Sequence, residues 1–234
     1  MSSVPHISLV CCGLMGTTVG DGAGQGSMVE RAFAEAIATQ GVVAGTSDFA
    51  RCMAQVSRGR GRPAAEVFDS LFPGHQARAQ AAGLAFERSY RAAVGRTELA
   101  PMPGAEEAID KLTGSGIQVC LVTGLPRAML SLVLDTLGWR GRGLLTLCPD
   151  DAPRGFPWPD LVLTALLRLG AGDVREIAVA SGTEHGVTAG RRAGARIITG
   201  VLTGPHTAAR MRVAGATHLI DSIAALPDLV ASSG

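Results

Sequence analysis

The chain has 234 residues, 47% hydrophobic and 18% charged, with a formal net charge of +1 at neutral pH. That balance excludes a disordered chain, and the near-zero charge, with Lys111 the sole lysine among 21 basic residues, excludes a broad basic face for nucleic acid. No apolar run reaches the length of about 18 residues that a membrane span needs, and the amino terminus lacks the basic, apolar and small-residue succession of a secretory leader, so a cytoplasmic protein without membrane contact is expected.

In chain order, residues 6–12 form a short apolar run stopped by Gly13, the pattern of a buried strand running into a loop. The glycine-rich stretch 20–26 follows, with Asp21 at the expected hinge. Helical spacing then recurs over 28–39, 48–57, 64–71 and 76–94 with no convincing strand between, which predicts an all-helical insert spanning residues 21–95. Within it, Arg58-Gly59-Arg60-Gly61-Arg62 lacks interleaved aromatic residues and reads as a solvated hinge, and His75 as a loop residue.

After Pro101 the pattern changes. Helices over 105–112, 127–137, 160–169, 187–193, 206–213 and 223–231 alternate with apolar strands over 118–122, 143–147, 176–180, 196–201 and 218–220. Such alternation predicts right-handed βαβ units and a parallel sheet covered on both faces. The expected architecture is α/β: a Rossmann-like three-layer αβα core built from residues 1–20 and 96–234, carrying the helical cap inserted after strand 1. The working loops of such a sheet lie beyond the carboxyl ends of its strands, here 13–19, 123–124, 148–158 and 181–186. Cys11, Cys12, Cys52, Cys120 and Cys148 are odd in number and lack CxxC spacing, which fits reduced and mostly buried thiols rather than a disulfide frame or zinc site.

Those four loops, in that order, resemble the four motifs of the haloacid dehalogenase superfamily. Gly16-Thr17-Thr18-Val19, Met102-Pro103-Gly104, Thr123-Gly124 and Gly215-Ala216-Thr217-His218-Leu219-Ile220-Asp221 are similar to phosphonoacetaldehyde hydrolase and its phosphonatase-like relatives. The resemblance implies a carboxylate nucleophile at the end of strand 1, a second carboxylate two residues on, a phosphate-binding hydroxyl in the second motif, a basic residue in the third, and acidic Mg²⁺ ligands in the fourth. The matching positions here are Gly13, Met15, Thr123, Phe156, Gly182 and Gly186, so only the hydroxyl survives. The cap lysine that forms a Schiff base in phosphonoacetaldehyde hydrolases corresponds to Ser57. No metal and no cofactor are therefore expected.

The changes share a direction toward smaller and more apolar groups, which suits a small, neutral and largely apolar organic ligand and removes anionic oxygens that would otherwise be left unpaired beside it. Gly13, Met15, Thr17, Thr18, Thr123, Phe156, Trp158, Gly182 and Gly186 are the expected substrate-binding residues. Glu184 and His185 are the candidates for proton transfer and Arg154 for oxyanion binding. The expected function is metal-independent, non-hydrolytic chemistry such as cyclisation, isomerisation or dehydration in a biosynthetic pathway, with self-association into a homodimer left open. Two other readings stand beside it: a catalytically silent protein that binds a metabolite or partner, and a hydrolase using Thr17 or Cys12 as nucleophile. Asp150 and Asp151 are either proton-transfer groups or turn and cap formers.

Overall fold

A computed structural model of the protein describes residues 6–20, 27–95 and 99–233. Asp21 and most of the glycine-rich stretch lie outside the described residues. Two short antiparallel segments, β2 (Val19–Gly20) and β3 (Ala100–Pro101), mark where the chain leaves β1 (Leu9–Gly13) for the helices and where it returns.

Between them lie α1 (Met28–Thr39), α2 (Ser47–Arg58), α3 (Ala64–Leu71) and α4 (Gln76–Val94). Each start has a local cause. Ser27 and Glu30 form a reciprocal capping box at α1, and the Thr46 hydroxyl accepts the Phe49 N–H at α2. The helices pack around a ring cluster in which Phe33 lies 4.5 Å from Phe86 and 5.0 Å from Phe68 between centroids, and Phe86 lies 6.1 Å from Tyr90. Each such pair contributes about 0.5–1.5 kcal/mol beyond its buried area.

The rest of the chain alternates: α5 (Ala105–Gly114), β4 (Gln118–Val122), α6 (Arg127–Thr136), β5 (Leu145–Leu147), α7 (Asp160–Leu169), β6 (Ile177–Ser181), α8 (Glu184–Ala193), β7 (Ile197–Val201), α9 (Ala208–Ala214), β8 (His218–Ile220) and α10 (Leu226–Ala231). Six strands form one parallel sheet in the order β5-β4-β1-β6-β7-β8. Strand parity divides the core. Val10 and Cys12 of β1 join the apolar cluster that contains α5, α6 and the inserted helices, whereas Leu9 and Cys11 join the cluster with α7, α8 and α9. Because β1 lies at the centre with β4 and β6 on either side, Gly13, Thr123 and Ser181 are carried to the same edge of the sheet.

One predicted boundary moves in a way that matters. Glu184 and His185, expected in a loop, form the first turn of α8, because the Thr183 hydroxyl accepts the Gly186 N–H at 3.3 Å and starts the helix three residues early. Among the described residues no helix is long and apolar enough to cross a membrane.

Candidate functional site

A narrow cleft of about 670 Å³, counting its open mouth, lies between the carboxyl edge of the sheet and the inserted helices. Gly13, Met15, Thr17, Thr123 and Phe156 are on its wall, as expected from the sequence. Thr18 is fully buried behind it and donates its hydroxyl to the Gly13 and Leu14 carbonyls. Gly182 donates its N–H to Thr17 Oγ1 at 2.9 Å. The apolar side of the cleft includes Val29, Phe33 and Phe86 of the inserted helices, and the Tyr90 hydroxyl sits 3.7 Å from Met15 Sδ.

The glycines that the resemblance sets at the family's carboxylate positions have close neighbours on their side-chain sides. A β-carbon on Gly13 would lie 2.7 Å from Thr17 Oγ1. One on Gly182 would lie 2.8 Å from the Gly16 carbonyl oxygen and 2.9 Å from Gly204 Cα, and one on Gly186 would lie 2.2 Å from Ser181 Oγ. Hydroxyls and backbone thus occupy the space that side chains would need.

A hard divalent cation requires several oxygen ligands, usually including carboxylates. No Asp or Glu is on the cleft wall, and among the described residues no three His, Cys, Asp or Glu side chains converge as a metal site would require. The residues present do not fit the Mg²⁺ site that the family implies.

The residues expected to supply acid–base chemistry lie elsewhere. Glu184 is held by Arg210 through a two-pronged ion pair, with Nε donating to Oε2 at 2.8 Å, and faces an outer groove. His185 borders the same groove. Its Nδ1 lies 2.9 Å from the Arg60 carbonyl oxygen, an acceptor only, so Nδ1 carries the proton. Burial lowers the His185 pKa, against the opposing pull of that carbonyl and of Glu184. Arg154 is half-exposed, forks onto Asp160 at 2.8–3.2 Å and lies 4.4 Å from the Trp158 ring centroid, where Arg192 also stacks. Trp158 is exposed and does not line the cleft. Asp150 and Asp151 act as cap and turn formers: Asp150 accepts the Arg127 N–H, and Asp151 accepts the Cys148 N–H and pairs with Arg127 and Arg168. Cys12 is buried and its thiol pKa is pushed far above the usual range by burial, so it is a core residue.

The arginine–glycine run is the main surprise. Residues 59–63 fold down onto the core instead of standing in solvent. A β-carbon on Gly61 would lie 2.6 Å from Thr183 Oγ1, one on Gly124 2.6 Å from the Gly61 carbonyl oxygen, and one on Gly155 2.3 Å from Pro63 Cγ. This close approach requires glycine on both sides, and Gly61 also adopts φ +93°. Arg60 is thereby placed on the cleft wall with a side chain only 10% exposed, bonded through Nη1 to Glu30 Oε1 at 2.7 Å and to Ser27 Oγ at 2.9 Å. Arg62, also on the wall, pairs with Glu66 at 2.9 Å. The available signal was glycine flanking arginine between two helices, which allows close backbone contact as readily as a hinge.

A second histidine supports this closure. His206, 4% exposed, accepts the Glu184 N–H on Nδ1 at 3.0 Å, so its proton is on Nε2. That Nε2 is buried without a well-formed partner among the described residues, and burial lowers the His206 pKa while the Glu184 charge and, less strongly, the Ser57 carbonyl oppose.

Comparisons with known proteins agree with this architecture. A haloacid dehalogenase-like hydrolase family model matches residues 7–194. Phosphonoacetaldehyde hydrolase of Bordetella pertussis is 32% identical over an alignment of 154 positions that covers 56% of each chain, and that of Hahella chejuensis is 35% identical over 95 positions, covering 40% of this chain and 32% of the relative. The matched part is about half, or less, of the length of these relatives. A phosphonoacetaldehyde hydrolase-like protein from Oleispira antarctica has the same fold, with a TM-score of 0.82 over 98% of this chain and 93% of its own at 22% identity. A hydrolase from Pseudomonas syringae is similar, at 0.80, 96%, 98% and 21% respectively. With the family model matching most of its length, this chain belongs to the haloacid dehalogenase-like hydrolase family, and it is similar to the phosphonoacetaldehyde hydrolases of that family.

Proposed function

We propose that this member of the family does not carry out metal-dependent phosphoryl transfer, and that its cleft binds a small organic molecule and converts it without hydrolysis, by cyclisation, isomerisation or dehydration in a biosynthetic pathway. The observation that carries this reading is the closed set of glycines: the nucleophile and metal-ligand positions hold no carboxylate, and Thr17, Ser181 and backbone atoms fill the space beside them. In-line phosphoryl transfer needs an attacking oxygen and cations to neutralise charge on the transferred group. The cleft wall carries no carboxylate to attack phosphorus or to hold a metal ion.

What the cleft offers is orientation and electrostatics. Arg60, only one-tenth exposed, can stabilise a developing oxyanion, while Phe33, Phe86 and Phe156 hold an apolar body. Glu184, His185 and Arg154 are released from direct roles in this account. Thr17 is an unsuitable nucleophile, because it is buried and its oxygen is engaged by the Gly182 N–H. A catalytically silent binding protein is the second reading, favoured by the lack of any Asp, Glu, His, Cys or Lys on the cleft wall. A cytoplasmic location suits either role.

The test is metabolite profiling after gene deletion, with complementation by the natural chain, by Arg60→Gln or by the Glu184→Ala, His185→Ala pair. An intermediate cleared by the natural chain and by the Glu184/His185 variant but not by Arg60→Gln supports the enzyme reading. No accumulating intermediate moves the binding reading ahead. Mg²⁺-dependent phosphate release by the purified natural chain would refute both.

A further inference from the structure

The polar side of the cleft has a one-sided hydrogen-bonding character. Thr17 Oγ1 already accepts the Gly182 N–H at 2.9 Å, and Thr123 Oγ1 accepts the Leu125 N–H at 3.2 Å, so each hydroxyl has its own proton left to donate. Arg60 uses Nη1 for Glu30 and Ser27, and its other N–H groups have no partner among the described residues. The carboxylates that pair with Arg60 and Arg62 come from Glu30 and Glu66, which are not on the cleft wall. The wall therefore combines hydroxyl and guanidinium donors with aromatic and aliphatic carbon.

We infer that the ligand of this cleft is a small monocarboxylate with an apolar or aromatic body, its carboxylate held by Arg60 with Thr17 and Thr123. The inference rests on the non-phosphatase reading and deepens it by naming the substrate class. A carboxylate matches a planar guanidinium edge, and a charge-assisted bond to it is stronger than one to a neutral carbonyl. A phosphate dianion fits less well. Arg60 is already paired one-to-one with Glu30, and Arg62 with Glu66, so with no metal ligands present a phosphate dianion would leave two charges uncompensated where a monocarboxylate leaves one. The Arg60 guanidinium is braced by Glu30 and Ser27, and its carbonyl oxygen is held by His185 Nδ1, so the side chain is positioned before a ligand arrives.

Calorimetric titration of the full chain with phenylacetate, phenylacetamide, phenyl phosphate and inorganic phosphate tests the assignment. Phenylacetate is expected to bind saturably and at least tenfold more tightly than the amide or either phosphate. Arg60→Gln is expected to bring acid and amide within about twofold of each other. Should Arg60→Gln loosen the fold, visible as a lowered melting temperature, Glu30→Gln provides the second variant: it removes the competing charge while its amide oxygen can still accept from Arg60, and is expected to tighten phenylacetate binding. Equal affinity for acid and amide, strongest binding of phenyl phosphate, or no saturable binding of any probe overturns the carboxylate assignment. Tight binding of phenyl phosphate without turnover leaves the non-phosphatase reading intact, whereas its Mg²⁺-dependent hydrolysis refutes that reading itself.

Discussion

Placing a side chain at position 13 tests whether Thr17 fills the volume beside Gly13. In Gly13→Ala the new β-carbon would lie 2.7 Å from Thr17 Oγ1 and 3.4 Å from Thr17 Cβ, so Thr17 must turn and give up the Gly182 N–H. Leaving a buried N–H unsatisfied costs about 1–3 kcal/mol. The usual gain from replacing a strand glycine by alanine, about 0.5–1 kcal/mol, offsets part of this. The net loss, roughly 0–2.5 kcal/mol and centred on about 1 kcal/mol, corresponds for a chain of this size to a melting temperature lower by about 2–4 °C at its centre. Gly13→Asp adds a carboxylate without a cationic partner beside buried groups, and a loss of about 3–5 kcal/mol is expected. Thermal unfolding followed by circular dichroism reads both variants, and a phosphatase assay with Mg²⁺ reads the second. If Gly13→Ala melts at or above the natural chain, Thr17 does not occupy that volume and the filled-site argument fails. Substantial Mg²⁺-dependent turnover by Gly13→Asp would show that the metal site persists.

Gly61→Ala should lower the melting temperature by several degrees and raise protease sensitivity near residues 59–63, because its β-carbon meets Thr183 Oγ1 and φ is +93°; unchanged proteolysis would show that this segment is not clamped. His185 and His206 both have pKa values lowered by burial, so the unfolded chain binds more protons below the ordinary imidazole value of about 6.5. Their contribution is complete above that value and is lost as the pH falls below it, so the melting temperature should drop on acidification from pH 7.5 to 5.5, and less so in His185→Asn. An equal slope in the variant would exclude His185 from the effect. Cys12 and Cys148 should resist alkylation at pH 8 in the folded protein, since burial pushes the Cys148 thiol to about 11 and Cys12 higher still; mass spectrometry of rapidly labelled native protein would reveal a failure. A double-mutant cycle on Glu184 and Arg210 should give a coupling of about 0.5–1.5 kcal/mol in stability, as for a partly exposed forked pair, and no change in ligand binding. Loss of binding on Glu184→Ala would return that residue to the site.

Much of the architecture is set by local chemistry and was therefore legible in the sequence. The α1, α3 and α4 bounds follow from apolar spacing, and the order of strands and crossover helices follows from alternating apolar runs, because a helix or a buried strand records its environment every few residues. Loop order was legible for the same reason: the sheet brings Gly13, Thr123 and Ser181 to one edge whatever their side chains. The absence of carboxylates at positions 13, 15, 182 and 186 needed only residue identity.

Direction and partnership were decided by the tertiary structure. Glu184 meets Arg210 26 positions later, and His185 meets the Arg60 carbonyl 125 positions earlier, so neither pairing leaves a local trace. Arg154 turns to Asp160 and Trp158 because the third loop points it outward. The arginine–glycine run has the composition of a solvated segment, yet the absence of β-carbons at Gly61, Gly124 and Gly155 lets backbone meet backbone and carries Arg60 into the cleft. A sequence states that a glycine has no side chain; only packing decides whether the space beside it is left open, filled by a hydroxyl as at Gly13, or taken by another strand of backbone as at Gly124.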